Sequence, residues 1–148
     1  MSSSESEYAP SPTDWVRTAV EKIEAAGDTK AGQFNNGQPV VLLTMRGAKS
    51  GKIRKVPLMR VEHEGVYAAV ASLGGAPKHP VWYYNLQADP KIQLQDGEQT
   101  GEYVAREIEG EEYKLWWERS VEAFPNYAEY QTKTTRIIPL FLLEPASN

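Results

Sequence analysis

The chain has 148 residues, the size of one domain, and its 20 acidic against 16 basic residues give a formal net charge of -4, the wrong sign for holding nucleic acid by counterion release. It has no cysteine, which excludes disulfide scaffolds, thiolate nucleophiles and thiolate-bound zinc, and His63 and His79 have no metal-ligand pattern around them. No apolar run approaches the roughly 18 residues of a membrane span and the opening Met-Ser-Ser-Ser-Glu lacks the marks of a signal peptide, so the expectation is a cytoplasmic protein with no metal and no transmembrane segment, peripheral contact at the inner face of the membrane being left open.

Residues 1–10 are rich in Ser and Glu and offer little apolar surface to repay ordering, which predicts a disordered tail followed by one domain over 11–148. A helix follows, with Ser11 as N-cap, Pro12 in its first turn and Gly27 as a left-handed C-cap. Its apolar stripe is Val16, Ala19, Val20, Ile23 and Ala26. Pro39 to Thr44 reads as a buried strand, Val56 to Met59 as a second, and Val66 to Ser72 as a third that returns through a turn at His63-Glu64-Gly65. A short helix over His79 to Leu86 stops at Asp89-Pro90, and a hairpin pairs Lys91 to Gln95 with Glu102 to Glu107 around Asp96-Gly97. Gly110 to Ala123 reads as a helix and Ile137 to Leu143 as the last strand. Hairpins on both sides of a short helix predict a mainly β fold with helices, a small antiparallel barrel whose openings the helices cover.

Charge is unevenly placed. From Thr29 to Val61 there is no acidic residue, while Lys30, Arg46, Lys49, Lys52, Arg54, Lys55 and Arg60 make seven bases. Surface charge that merely solvates a face mixes its signs. Within this run, Arg46-Gly47-Ala48-Lys49-Ser50-Gly51-Lys52 has glycines that let backbone amides approach an oxyanion and a Ser that can donate. The spacing is not that of a nucleotide-triphosphate loop, since Gly47 and Gly51 are four apart and Ile53 follows Lys52. A phosphorylated or polycarboxylate ligand fits these bases better. Two aromatic groups stand apart: Trp82-Tyr83-Tyr84 on the short helix, where Trp82 and Leu86 share a face, and Phe124-Pro125-Asn126-Tyr127-Ala128-Glu129-Tyr130, whose Tyr127 and Tyr130 lie on one side of a helical turn.

These residues carry a resemblance. Arg46-Gly47-Ala48-Lys49-Ser50-Gly51, Arg54, Pro57-Leu58, Ala71-Ser72, Lys78 to Leu86, Asp89-Pro90, Pro125 to Gln131, Arg136 to Leu140 and Glu144-Pro145 together resemble the deazaflavin-dependent nitroreductase and quinone reductase family, in the family's order and from about residue 35 to 145. The resemblance implies a split β-barrel of the flavin-reductase type and coenzyme F-420, an 8-hydroxy-5-deazaflavin with a phosphodiester and oligoglutamate tail. It also implies hydride transfer from the reduced coenzyme to an electron-poor small molecule, a quinone, an activated enone or a nitro compound.

By family position, Lys49, Ser50, Arg54, Lys55 and Pro57 hold the tail and phosphate, while Ser72, Lys78, Trp82 and Asn85 border the cofactor. Met59, Phe124, Tyr127 and Tyr130 line the acceptor pocket, with Ser72, Tyr127 and Tyr130 as the candidate catalytic groups. Met59 and Phe124 stand where the nitroreductase has tyrosines, which puts reduction of bicyclic nitroimidazoles in doubt. Alternatives are an FMN-binding reductase on the same barrel, whose shorter phosphate needs fewer bases, and a non-catalytic deazaflavin carrier. The assembly expected is a monomer or a homodimer.

Overall fold

The order of the strands places the two ends of one sheet next to each other in the chain. The structure, a computed structural model, describes residues 8–32 and 38–146. Its strands are β1 (Val40–Arg46), β2 (Ile53–Met59), β3 (Glu62–His63), β4 (Val66–Val70), β5 (Lys91–Asp96), β6 (Gln99–Glu107) and β7 (Leu140–Pro145), all in one sheet of order β2-β1-β5-β6-β7-β4-β3. Every pairing of neighbours is antiparallel. Laid flat, seven strands would put the first and last roughly 29 Å apart. Yet β2 and β3 are joined through Arg60 and Val61 alone, and three peptide steps reach at most about 11 Å. The sheet therefore curls into the split β-barrel.

Among the described residues four α-helices cover it: α1 (Asp14–Ala26), α2 (Val81–Ala88), α3 (Gly110–Ala123) and α4 (Asn126–Thr132). Gly27 caps α1 in the left-handed region at φ 68°, its N–H donating to the Ile23 carbonyl at 2.8 Å, whereas the N-cap is Thr13 and the Ser11 hydroxyl accepts from the Thr13 amide instead. The expected short helix starts at Val81, two residues late, because Pro80 fixes the extended residue before it. In the second hairpin Asp96 pairs with Gln99, so the turn is Gly97-Glu98 and β6 begins earlier than expected. The tail expected over residues 1–10 lies outside the described residues as far as residue 7. Tyr8 forms a parallel bridge with Ile53 and the Ala9 amide donates to the Ile53 carbonyl at 2.9 Å, so the chain is tied to β2 before residue 10.

Alternation along the strands divides the apolar side chains. Val41, Leu43 and Met45 of β1 point into the barrel with Tyr67 and Ala69 of β4, Ile92 and Leu94 of β5, and Phe141 and Leu143 of β7. Val40 and Leu42 face out beneath Val20 and Ile23 of α1, and Ala68, Val70, Leu140 and Leu142 face out beneath Trp116 of α3 and Tyr127 of α4. Burial on both faces is why these strands read as continuous apolar runs rather than alternating ones. A brace crosses the barrel: Asp96 accepts both oxygens' worth of hydrogen bonds from Arg60 Nε (3.0 and 2.9 Å) and one from the Tyr67 hydroxyl (2.5 Å). It ties the β2–β3 corner to β5 and β4.

Leu43 is fully buried at the barrel centre. Leu43→Ala is expected to cost about 2–5 kcal/mol, read as a lower urea midpoint with an unchanged slope.

Candidate functional site

Lys30 lies before β1 and Arg60 after β2, and the other five of the seven bases, Arg46, Lys49, Lys52, Arg54 and Lys55, lie on the β1–β2 hairpin. Its turn closes on itself: the Gly47 amide donates to the Lys52 carbonyl (2.8 Å) and the Gly51 amide to the Gly47 carbonyl (3.0 Å), while Ser50 Oγ accepts from the Lys52 amide (3.1 Å). Gly51 has φ 72°, which glycine adopts without strain. A Cβ on Gly47 would lie 3.1 Å from Ser50 Oγ. The turn consumes the amides of Gly47 and Gly51 themselves. Cationic side chains are what the hairpin offers. Lys49 is exposed and Arg54 half-buried, and neither has a carboxylate partner among the described residues. Lys55 and Arg60 differ from them: Lys55 pairs with Glu24 of α1 and lies 5.2 Å from the Tyr8 ring centre, and Arg60 pairs with Asp96. Pro57 is buried in β2.

The hairpin is tied to α2 by Asn85, whose Oδ1 accepts from the Ala48 amide at 2.9 Å and whose Nδ2 points at Met45 Sδ, 3.7 Å away. Asn85 is buried and both ends of its amide are engaged within the protein. Trp82 packs into the barrel with its ring 6.2 Å from that of Phe141. The exposed aromatic of this helix is Tyr84, and Tyr83 stacks on His79 at 4.2 Å between ring centres.

Between β4 and α2, the segment 71–79 carries Ser72 and Lys78. Ser72 is buried and Lys78 exposed. Leu73 has φ 45°, Gly74 63° and Gly75 85°, a left-handed run that is costly at Leu73. Arg136, which the sequence marks by no charge pattern, reaches this segment with its whole guanidinium. Nε donates to the Ala76 carbonyl (2.9 Å), Nη1 to the Ala71 carbonyl (3.1 Å), and Nη2 to the Ser72 carbonyl (2.8 Å). Nη1 also meets His79 Nδ1 at 3.0 Å. An arginine has no proton to lose here, so this contact makes His79 Nδ1 the acceptor and places its proton on Nε2. Burial, and then the Arg136 charge, pull the His79 imidazole below its ordinary range against an opposing pull from Glu107.

Two of the residues expected on the acceptor side, Tyr127 and Tyr130, lie on α4, which the sequence shows only as a helical turn, and Phe124 lies just before it at the end of α3. Phe124, Tyr127 and Tyr130 form an aromatic trio with ring centres 5.0, 6.1 and 6.2 Å apart, and Met59 from the end of β2 packs into the same cluster. Tyr127 is buried, and burial, with Tyr130 beside it, pushes its phenol above its ordinary range. It therefore keeps its proton throughout the neutral range. Gly75 seats this helix on the Ser72 segment: a Cβ there would stand 2.7 Å from the Tyr130 carbonyl. The side chain of Gln131 anchors α4 at its far end, with Nε2 donating to the Arg136 carbonyl (2.7 Å) and Oε1 accepting from the Ile138 amide (3.0 Å).

The fold is a split β-barrel, and its cationic hairpin suits a polyanionic ligand. The comparisons agree. The family described as "F420H(2)-dependent quinone reductase" matches residues 15–145, and the chain belongs to it. The F420H(2)-dependent quinone reductase Rv1261c of Mycobacterium tuberculosis is 33% identical over 108 residues, 71% of this chain and 72% of that protein. Among solved structures, an F420-H2 dependent reductase, FDR-A, is 59% identical with a TM-score of 0.69, covering 72% of this chain and 95% of its own. A chain solved as a domain-swapped dimer is 56% identical with a TM-score of 0.71, covering 90% and 100%.

Coenzyme F-420 is thus the cofactor, and Lys49 and Arg54, which pair with no carboxylate among the described residues, suit an anionic tail. Of the two activities in the family name that the motifs suggest, the comparisons carry quinone reductase. Among the described residues no helix is long and apolar enough to cross a membrane.

The lowered His79 fixes the sign of one pH effect. An unfolded chain takes up the His79 proton near the ordinary value of about 6.5, while the folded chain resists it. The unfolded state then binds more protons, so this part of the stability is present above that value and is lost as pH falls below it. His79 faces Arg136 from the C-terminal segment, Glu107 from β6, and Tyr83 and Tyr84 from α2. His79→Asn is expected to lose less melting temperature than the wild type between about pH 7.5 and about pH 5.5. Equal losses in the two proteins would remove His79 from the acid response.

Proposed function

We propose that this reductase uses reduced coenzyme F-420 on quinone acceptors, with activated enones next, and that the residues divide by wall. Lys49 and Arg54 hold the phosphate and glutamate tail, with Lys55 joining them once Glu24 is displaced, and Ser50 and Pro57 border the same groove. Lys78 adds a cation at the other end. When bound, the reduced coenzyme supplies the hydride from C5 of its ring. Ser72 hydrogen-bonds near the reacting region, and Trp82 and Asn85 back the cofactor from α2. Tyr127 and Tyr130 supply a hydrogen bond or proton to the acceptor oxygen, where negative charge develops. Met59 and Phe124 give the acceptor an apolar wall, which suits a quinone ring better than a nitroimidazole.

The observation that supports this reading is the seating of α4 on the Ser72–Gly75 turn, which brings the helix carrying Tyr127 and Tyr130 against the segment carrying Ser72 and Lys78. A cytoplasmic location, and a homodimer as the working assembly, belong to the same reading. Support for the dimer comes from the 56% identical chain solved as a domain-swapped dimer.

Titration of the protein with coenzyme F-420, followed by fluorescence quenching, tests the cofactor half against FMN and across salt. Tight binding that weakens with salt is expected, and an equal affinity for FMN would reject the reading. Lys49→Ala and Arg54→Ala are expected to weaken the affinity roughly tenfold each, on the scale of a charge-assisted hydrogen bond. Turnover at saturating cofactor stays near the wild-type rate, because a contact on the tail is equal in ground and transition states.

Tyr127→Phe and Tyr130→Phe keep the aromatic volume and remove one hydroxyl each. Turnover of a quinone is expected to fall about tenfold or more in at least one of them, the scale of general acid assistance, with cofactor affinity nearly unchanged. If both single variants and the double variant keep the wild-type rate, the tyrosines are wall and the proton comes from water.

A further inference from the structure

We propose that Arg136 is a positioning residue, whose guanidinium holds segment 71–79 in the shape that presents Ser72 and Lys78 and locks it to the helix that carries Tyr127 and Tyr130. The inference rests on the cofactor reading above for its functional consequence, though not for the clamp itself.

Three features support it. The fork of donors meets four acceptors distributed over nine residues, at 2.8–3.1 Å: the carbonyls of Ala71, Ser72 and Ala76 and the Nδ1 of His79. Within that span lie Leu73, Gly74 and Gly75, all at positive φ. A left-handed leucine persists where its surroundings over-determine it, and the carbonyls that Arg136 grips lie on both sides of the run. The second feature is charge. Arg136 makes no ion pair with a carboxylate among the described residues, so its half-buried guanidinium is satisfied by carbonyl dipoles and a neutral imidazole. A bare surface cation gains nothing from such burial; a geometric clamp does, since each carbonyl is fixed by a charge-assisted bond.

The third feature is linkage. The Arg136 carbonyl accepts from Gln131 of α4, and that helix touches Gly75 of the clamped segment through the Tyr130 carbonyl. One residue thus contacts the cofactor-side segment with its side chain and the acceptor-side helix with its backbone. Lysine cannot replace it: an ammonium is a compact charge with three donors and no planar fork, unable to span carbonyls five residues apart together with a ring nitrogen.

The test compares wild type, Arg136→Ala and Arg136→Lys by amide hydrogen exchange without any ligand, then by fluorescence titration with coenzyme F-420. In Arg136→Ala, exchange over 71–79 is expected to accelerate about tenfold or more, the loss of several charge-assisted bonds, while β1 and β5 keep wild-type protection. Arg136→Lys keeps the charge and is expected to show the same local loosening. Cofactor affinity is expected to weaken about tenfold in both, and millimolar guanidinium is expected to restore part of it in Arg136→Ala where ethylammonium does not.

Unchanged exchange over 71–79 in both variants overturns the clamp, as does a Lys variant with wild-type exchange and affinity, which would reduce the role to charge. If Arg136→Ala loses protection throughout the sheet, the Lys variant decides: local loosening supports the clamp, and a global loss makes Arg136 a fold residue and overturns it. A wild type that fails to bind the coenzyme refutes the cofactor reading and leaves the exchange result to judge the clamp alone.

Discussion

The two-residue link between β2 and β3 governs this molecule. A sheet whose outer strands are almost consecutive in sequence has no flat solution, so the pairing order forces a rolled surface with an inside and an outside. The link also sets Met59 where β2 ends, in contact both with the core under α1 and with the core under α3 and α4. Arg60 in the link is held by Asp96, whose other partner, Tyr67, lies inside the barrel. Burial, and then the hydrogen bond to Asp96, push the Tyr67 phenol above its ordinary range, so it remains a donor to that carboxylate.

The candidate site is assembled from segments that the barrel brings together rather than from one motif. The β1–β2 hairpin provides cations, and α2 steadies it through Asn85. Segment 71–79 and α4 form the remaining walls, and they meet where a glycine leaves room. At Gly75 the backbone has φ 85° and the Tyr130 carbonyl occupies the volume of a side chain, so both conformation and space demand glycine there.

Much of this was legible because local chemistry agreed with the fold. The Gly27 cap, the Glu64-Gly65 turn with both residues at positive φ, the Gly97 hairpin and the whole of α3 follow from caps, turn residues and periodicity, which act over a few residues. The cationic hairpin was legible from the acid-free run. What sequence could not show is which cations are already neutralised: Glu24 lies 31 residues from Lys55 and Asp96 lies 36 from Arg60, and only the fold pairs them. The same holds for Arg136, whose carbonyl partners are 60 to 65 residues away. Helix α4 was seen as a turn because its N-cap, Pro125, brings no side-chain bond and its seven residues are too few for a periodic signal.

The cationic hairpin has a second consequence, for how copies of the protein meet. Strand β2 is an outer strand of the sheet, and an outer strand with free backbone groups is a template on which another chain can add. Tyr8 and Ala9 cover one point of it at Ile53. Along the rest, Lys52 and Arg54 flank Ile53, so two copies approaching edge to edge would bring like charges together. The positive charge proposed to hold an anion would therefore also oppose edge-to-edge growth of the sheet, and a substitution that silences it would weaken ligand binding and colloidal stability together.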